Sequence, residues 1–348
     1  MTQLSDTQAQ TSDIFGYKWG RRETYDTGES MTADTRRWYL EKYFGGDEAQ
    51  IDTLFGDGDK VFLDAGCGSG YSAFLLFDKQ LTGPQRYVGV DVSSAVAVGK
   101  ERAAERGVDA SFVQADLATL PMEDACVDIV FSEGVLHHTD DPAVSLKSLA
   151  RIVKPGGSVL FYVYRKKAPI REFTDDHIRA QISHLDPDAA WEKLMPLTRL
   201  GKQLGDLNIT LDIAEDIDVI GLEKGQIDLQ RLFYYTIFKC FYRPDMDMQE
   251  MNHINFDWYM PLNCHRMTVD EVKQMCQDSG LTTQRVHEDD SGITTETTAD
   301  RDTVGEYVSS ATTSSADTLW PYTNFTDQIF TASASWVGPS TYIGNSTM

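Results

Sequence analysis

Three glycines, Gly66, Gly68 and Gly70, alternate behind an acid, Asp64, in the stretch VFLDAGCGSG at 61–70. With no Cβ in the way, the backbone there can turn tightly and let a ligand approach its amides. A second acid, Asp91, closes RYVGVD and falls 21 residues after Gly70. A carboxylate in that position can accept two hydrogen bonds from a ribose diol, whichever nucleotide carries it. A third acid, Asp116, ends ASFVQAD. His137 and His138 follow a fourth apolar run, and a histidine there can serve as a general base near neutral pH. Packing or hydrogen bonding would account for them equally well, and being adjacent, at most one can point inward.

The elements that must hold these groups alternate regularly. Residues 61–64 read as a buried strand, and 71–81 place Ala73, Phe74, Leu76, Phe77 and Leu81 at helical spacing. Further strands are expected at 86–91, 110–116, 126–133 and 158–164, with helices at 93–106 and 143–153 between them. The Pro-Gly-Gly of KPGG, 154–157, ends the second of these helices and starts the fifth strand. A final helix over 267–281 has a capping box of Thr268 and Glu271 and a terminating Gly280. Strands at 281–288 and 292–298 make a closing hairpin. Strand–helix alternation predicts an α/β parallel sheet with ligands at its carboxyl ends.

Composition narrows the function. The chain has 348 residues, 41% hydrophobic, with a formal charge of −23. That length allows one large domain with insertions or two small domains, and the acidic surface disfavours nucleic acid as substrate. The five cysteines, Cys67, Cys126, Cys240, Cys264 and Cys276, include no Cys-x-x-Cys pair, so neither a disulfide framework nor a metal site is expected. No apolar run is long enough for a membrane span, and the polar N-terminus is unlike a signal peptide. A cytoplasmic protein is expected.

The third glycine comes one residue too early for a dinucleotide fingerprint, and Tyr71 stands where that pattern requires glycine. Asp64 to Gly70 instead resembles the first motif of class I S-adenosylmethionine-dependent methyltransferases, of the type 11 or ubiquinone/menaquinone methyltransferase-like kind. ADLATLPM at 115–122 resembles the third motif of that family, and LARIVKPGG at 149–157 its helix-to-strand turn. FGYKWG, RKKAPIREFTDDHIR and NFDWYMP are similar to a narrower bacterial group whose substrate is not apparent. The resemblance implies a seven-stranded Rossmann-like sheet of order 3-2-1-4-5-7-6 and S-adenosyl-L-methionine as cofactor, with S-adenosyl-L-homocysteine as product. It implies that Asp64, Gly66, Cys67, Gly68 and Gly70 wrap the amino-acid end of the cofactor. Asp91 and Val92 would then meet the ribose, Asp116 and Leu117 the adenine, and Ser132 and Glu133 the methionine side.

On these expectations residues 1–13 are a flexible arm and 14–58 an N-terminal cap. Residues 59–164 form the cofactor-binding core, and 266–298 complete it. Residues 299–348 are a Ser/Thr-rich tail, disordered or an added strand pair. Residues 165–265 are too many for a loop and must be a mainly helical insertion, with helices at 175–183, 187–204 and 229–242. An insertion at the carboxyl edge would sit over the site and set the substrate. Candidates on that side are Tyr17, Trp19, Asp257, Trp258, Tyr259 and Arg266, the last four in a loop-like segment. His137, His138 and His265 are the candidate bases. The expected reaction is in-line methyl transfer to a small-molecule nucleophile. A protein or RNA methyltransferase, a non-catalytic cofactor binder and a nicotinamide oxidoreductase are the alternatives. Oligomeric state is left open, a homodimer included.

Overall fold

A strand buried on both faces must be apolar on both, and the side chains of β1 (Val61–Ala65) divide accordingly. Phe62 joins an aromatic layer with Phe77, Tyr87 and Phe131, while Val61, Leu63 and Ala65 join an aliphatic layer with Val88, Val90 and Val130. The same alternation runs through β2 (Arg86–Asp91), β3 (Ala110–Gln114), β4 (Val127–Glu133) and β5 (Val153–Tyr164). The aromatic face is covered by α2 (Glu29–Phe44), α3 (Ala49–Phe55), α4 (Tyr71–Leu76), α5 (Asp78–Leu81) and α6 (Val96–Arg106). The aliphatic face is covered by α7 (Pro142–Ile152) and by a helix near the end of the core.

The computed structural model describes residues 4–25, 29–300 and 336–337. Five parallel strands run in the order β3-β2-β1-β4-β5. Between β5 and the final hairpin come α8 (Pro169–Ile182), α9 (Pro187–Asp206), β6 (Thr210–Ile213), β7 (Gly225–Asp228), α10 (Leu229–Leu232) and α11 (Met248–Tyr259). The chain then enters α12 (Val269–Asp278), β8 (Leu281–Glu288) and β9 (Gly292–Ala299). β9 lies antiparallel to β5, and β8 to β9. Strands β6 and β7 pair only with each other, so the main sheet has the expected 3-2-1-4-5-7-6 order once they are set aside. A two-residue strand, β10 (Trp336–Val337), lies antiparallel to β3. The rest of the expected 299–348 tail beyond Asp300 lies outside the described residues. Among the described residues no helix is long and apolar enough to cross a membrane.

Three expectations need correction. The supposed arm at 1–13 is largely α1 (Asp6–Gly20), capped by Ser5, with Gln8 and Thr11 buried. Two of its glutamines are matched: Gln10 Nε2 donates to Ser183 O and Met260 O, and Gln8 Oε1 accepts from Asp140 N–H. The segment holding Asp257, Trp258 and Tyr259 is no loop but α11, started by a capping box of Asp247 and Glu250. The helix expected over 229–242 stops early. After α10 a π-type turn, Phe233–Ile237, gives way to extended backbone at Phe238. Side chains satisfy the freed backbone there. Lys239 N–H donates to Asp175 Oδ1, Phe241 N–H to Asn255 Oδ1, and Gln230 Nε2 to Cys240 O.

Candidate active site

The carboxyl ends of β1 to β4 open into a cavity of about 610 Å3, a size suited to small molecules. Gly66 presents bare backbone to it. Its φ is +82°, and a Cβ built there would stand 2.2 Å from Val135 Cγ1, so glycine is what lets the loop after β4 close over this turn. Several of the turn's amides are already engaged: Gly66 and Cys67 donate to Val90 O, and Gly68 donates to Asp91 Oδ2 at 2.8 Å. Asp91 Oδ1 accepts from the Ser93 amide and hydroxyl. Asp91 is therefore fixed on the cavity wall beside Val92. Burial raises its pKa, against the lowering effect of the Ser93 and Gly68 bonds.

Asp116 caps the short turn Leu117–Thr119, its Oδ1 accepting from Ala118 N–H at 3.0 Å. It lines the cavity with Leu117, and burial raises its pKa too. At the end of β4, Glu133 is gripped by Lys42 Nζ at 2.5 Å and Tyr43 OH at 2.6 Å. Burial lowers the Lys42 pKa to about 8 against the pull of Glu133. The Trp38 and Tyr162 rings face Lys42 Nζ at 3.6 and 3.9 Å from their centroids, which compensates part of its lost hydration.

Helix α1 supplies the roof with Thr11, Phe15, Lys18 and Trp19. Trp19 Nε1 stands 2.6 Å from where a Gly68 Cβ would be. The far wall comes from the insertion and from Tyr162 and Tyr164 of β5. There Asp257 Oδ1 meets Lys18 Nζ at 2.5 Å, and Oδ2 accepts from Tyr164 OH at 2.8 Å. Burial alone would raise the Asp257 carboxyl. Lys18, His138 and Lys239 instead hold it well below the usual range.

Of the candidate histidines, His138 lines the cavity. Its Nδ1 lies 2.6 Å from Asn263 O, so Nδ1 carries the proton and Nε2 is left as an acceptor with no partner among the described residues. Burial lowers its pKa to about 4, so the ring is neutral at pH 7. His137 is packed on Tyr164, ring centroids 3.7 Å apart, and His265 braces the loop by donating to His137 O and Thr139 O. Neither lines the cavity.

Other expected residues stand behind the wall. Asp64 accepts from Tyr87 OH at 2.6 Å, and burial pushes its pKa to about 7. Ser132 Oγ donates to Ala65 O, and the Cys67 thiol faces Gly68 O. With Gly68 and Gly70 they shape the turn without lining the cavity. Trp19 and Asp257 do reach it. Tyr17, Trp258, Tyr259 and Arg266 do not, a correction to the substrate-side expectation. Tyr17 donates to Asp188 and packs on Trp191, while Trp258 and Tyr259 both donate to Asp175. Arg266 pairs with Glu172 and Asp176. These four tie the insertion down. Sequence reasoning missed Lys18, Arg231 and Lys239 on the cavity wall. The signal for two of them was present: Arg231 and Lys239 are the charged residues inside the aromatic run LQRLFYYTIFKCFY at 229–242.

This donor set fits a nucleoside. Carboxylates at two strand ends match a diol and an exocyclic amine, Val92 and Leu117 offer apolar contact to a ring, and Gly66 leaves room against the backbone.

Comparison with known proteins agrees. Residues 63–161 match the family described as "Methyltransferase domain". The chain is 30% identical over 162 residues to phosphoethanolamine N-methyltransferase 1 of Arabidopsis thaliana, covering 46% of this chain and 30% of that protein. It is 38% identical over 98 residues to a probable S-adenosylmethionine-dependent methyltransferase of Mycolicibacterium smegmatis, covering 28% and 35%. It is 33% identical over 104 residues to the ubiquinone/menaquinone biosynthesis C-methyltransferase of Bdellovibrio bacteriovorus, covering 30% and 43%. The chain thus spans less than half the length of each of these relatives. The match over residues 63–161 supports the resemblance to class I methyltransferases and S-adenosyl-L-methionine as the cofactor.

Proposed function

We propose that the protein transfers a methyl group from S-adenosyl-L-methionine to a small-molecule nucleophile. The observation that carries this reading is the cavity of about 610 Å3 that joins Asp91, Asp116 and Glu133 to the wall built by the insertion. When bound, S-adenosyl-L-methionine supplies an already activated methyl on a sulfonium, open to in-line displacement. The protein's part is then mainly alignment and exclusion of water, and alignment alone can contribute about 7–11 kcal/mol.

Asp91 would hold the ribose diol, and Asp116 with the Leu117 amide the adenine. Glu133, kept in place by Lys42 and Tyr43, would stand on the methionine side of the cofactor. An amine or thiolate acceptor would need no base. For a hydroxyl acceptor, His138 Nε2 is the neutral acceptor on the wall. The roof of Phe15, Lys18 and Trp19 favours a small acceptor over a macromolecule.

Calorimetric titration with S-adenosyl-L-homocysteine tests the cofactor assignment, and absence of binding rejects it. Radiolabelled methyl transfer into cell extract, fractionated by size, tests the acceptor. Label in the small-molecule fraction is expected, and label confined to protein or RNA would overturn it.

A further inference from the structure

We propose that the acceptor carries an anionic oxygen group, a carboxylate or phosphate, which is received by Lys239 Nζ with Arg231 on the same wall. The inference rests on the methyl-transfer reading and specifies its substrate.

The argument begins with how the cavity's charges are matched. Asp257 is bound by Lys18 and Tyr164, and Glu133 by Lys42 and Tyr43. Asp34 and Asp245 take Arg243. Two wall cations then remain. Among the described residues no carboxylate oxygen lies within 4.0 Å of Lys239 Nζ or of the Arg231 guanidinium. Arg231 has a long contact to Tyr242 O at 3.4 Å and the face of Tyr234 at 5.6 Å. Lys239 Nζ has the face of Trp258 at 4.9 Å.

Lys239 is 6% exposed. A buried ammonium without a counter-ion is costly, and proteins rarely keep one unless something occupies the place beside it. Burial lowers its pKa to about 8, with Asp257 and Asp175 pulling the other way from a distance. It is still mostly charged at pH 7. Its position is imposed from both sides of the chain, since its amide donates to Asp175 and its carbonyl accepts from Tyr259 OH. The π-type turn just before it, Phe233–Ile237, brings Tyr234 and Tyr235 onto the same wall, and Phe241 follows. An anion with a flat or apolar body therefore finds a charge and an aromatic surface together. On a chain of formal charge −23, such a cationic recess is against the overall field and selects locally.

The test uses the full chain saturated with S-adenosyl-L-homocysteine and three probes that share a ring: benzoate, phenyl phosphate and benzamide. One of the two anions is expected to bind at least about tenfold tighter than benzamide, the scale of a charge-assisted hydrogen bond in a buried site. Which anion does so separates carboxylate from phosphate. Lys239→Met should bring that preference to within about twofold, and Lys239→Arg should keep it. If Lys239→Met fails to fold, Arg231→Gln takes its place and should reduce the preference. Equal or tighter binding of benzamide, no binding of either anion, or a preference that survives the substitutions overturns the proposal. Failure of S-adenosyl-L-homocysteine to bind in the first step removes the methyl-transfer reading itself. Its success followed by no charge preference removes the acceptor assignment alone.

Discussion

Lys18 Nζ lies 2.5 Å from Asp257 Oδ1, joining α1 to α11 across the roof of the cavity. The same carboxylate receives Tyr164 OH from the end of β5, so one side chain fastens the N-terminal helix, the insertion and the sheet. Removing one member of a buried ion pair leaves the other stranded. Asp257→Asn is expected to destabilise the fold by about 3 kcal/mol. Urea denaturation should show a lower midpoint with an unchanged slope; an unshifted midpoint would refute the role given to this junction.

Glu133 and Lys42 form a second buried pair, with side chains 8% and 0% exposed. Glu133→Gln removes the pull that opposes burial and leaves the Lys42 amine among Trp38, Tyr39 and Tyr162 with a neutral partner. A loss of about 3–5 kcal/mol is expected. The double change Glu133→Gln, Lys42→Met should recover part of it, because the stranded amine is then gone. A double-mutant cycle decides: additive losses would mean the two residues do not interact.

Gly66→Ala should abolish cofactor affinity before it abolishes folding. The substituted residue would have to hold φ at +82° with its Cβ 2.2 Å from Val135 Cγ1, which displaces the loop after β4 from the cavity. Calorimetry with S-adenosyl-L-homocysteine is expected to show at least about a hundredfold loss, from strain and displaced contacts of a few kcal/mol. Unchanged affinity would show that this loop can move freely.

Asp64 makes stability depend on pH. Burial raises its folded pKa to about 7, beyond what the Tyr87 hydrogen bond can offset, whereas the unfolded value is about 3.9. Between those values the folded state holds a proton that the unfolded state has lost, so stability falls as pH rises through the window. The contribution is complete below about pH 4 and gone above about 7. Asp64→Asn, which stays neutral throughout, should flatten the slope by up to about 1.4 kcal/mol per pH unit. Urea midpoints taken across the window check it, and identical slopes for the two proteins would contradict it.

The sheet was legible because its signals are local and repeated. Apolar runs ending in Asp64, Asp91 and Asp116, glycines at fixed spacing and a Pro-Gly-Gly turn each mark a strand end within a few residues. The wall opposite was not, because its residues are set by long-range matching. Nothing in TQAQTSD, 7–13, shows that Gln8 and Gln10 will meet backbone groups over 130 residues away. Lys239 reads as a helix residue until Asp175, 64 positions earlier, takes its amide. Asp247 and Glu250 did form a legible helix start, and the aromatic NFDWYMP that follows obscured it. The tethering roles of Trp258 and Tyr259 come from the same cause: aromatics with a polar tip serve a pocket or an anchor equally well until the partner, Asp175, is known.

The insertion leaves β5 and rejoins the core at adjacent points. Arg165 and Met267 form a bridge, with Lys166 N–H donating to Met267 O and Met267 N–H to Tyr164 O. A segment whose two ends already touch asks little of the scaffold that carries it, whatever its length. On the proposed function, exchanging residues 166–266 between proteins with this sheet would renew the cavity wall opposite the strand ends, provided that Gln10, Lys18 and Asp34 keep their partners there.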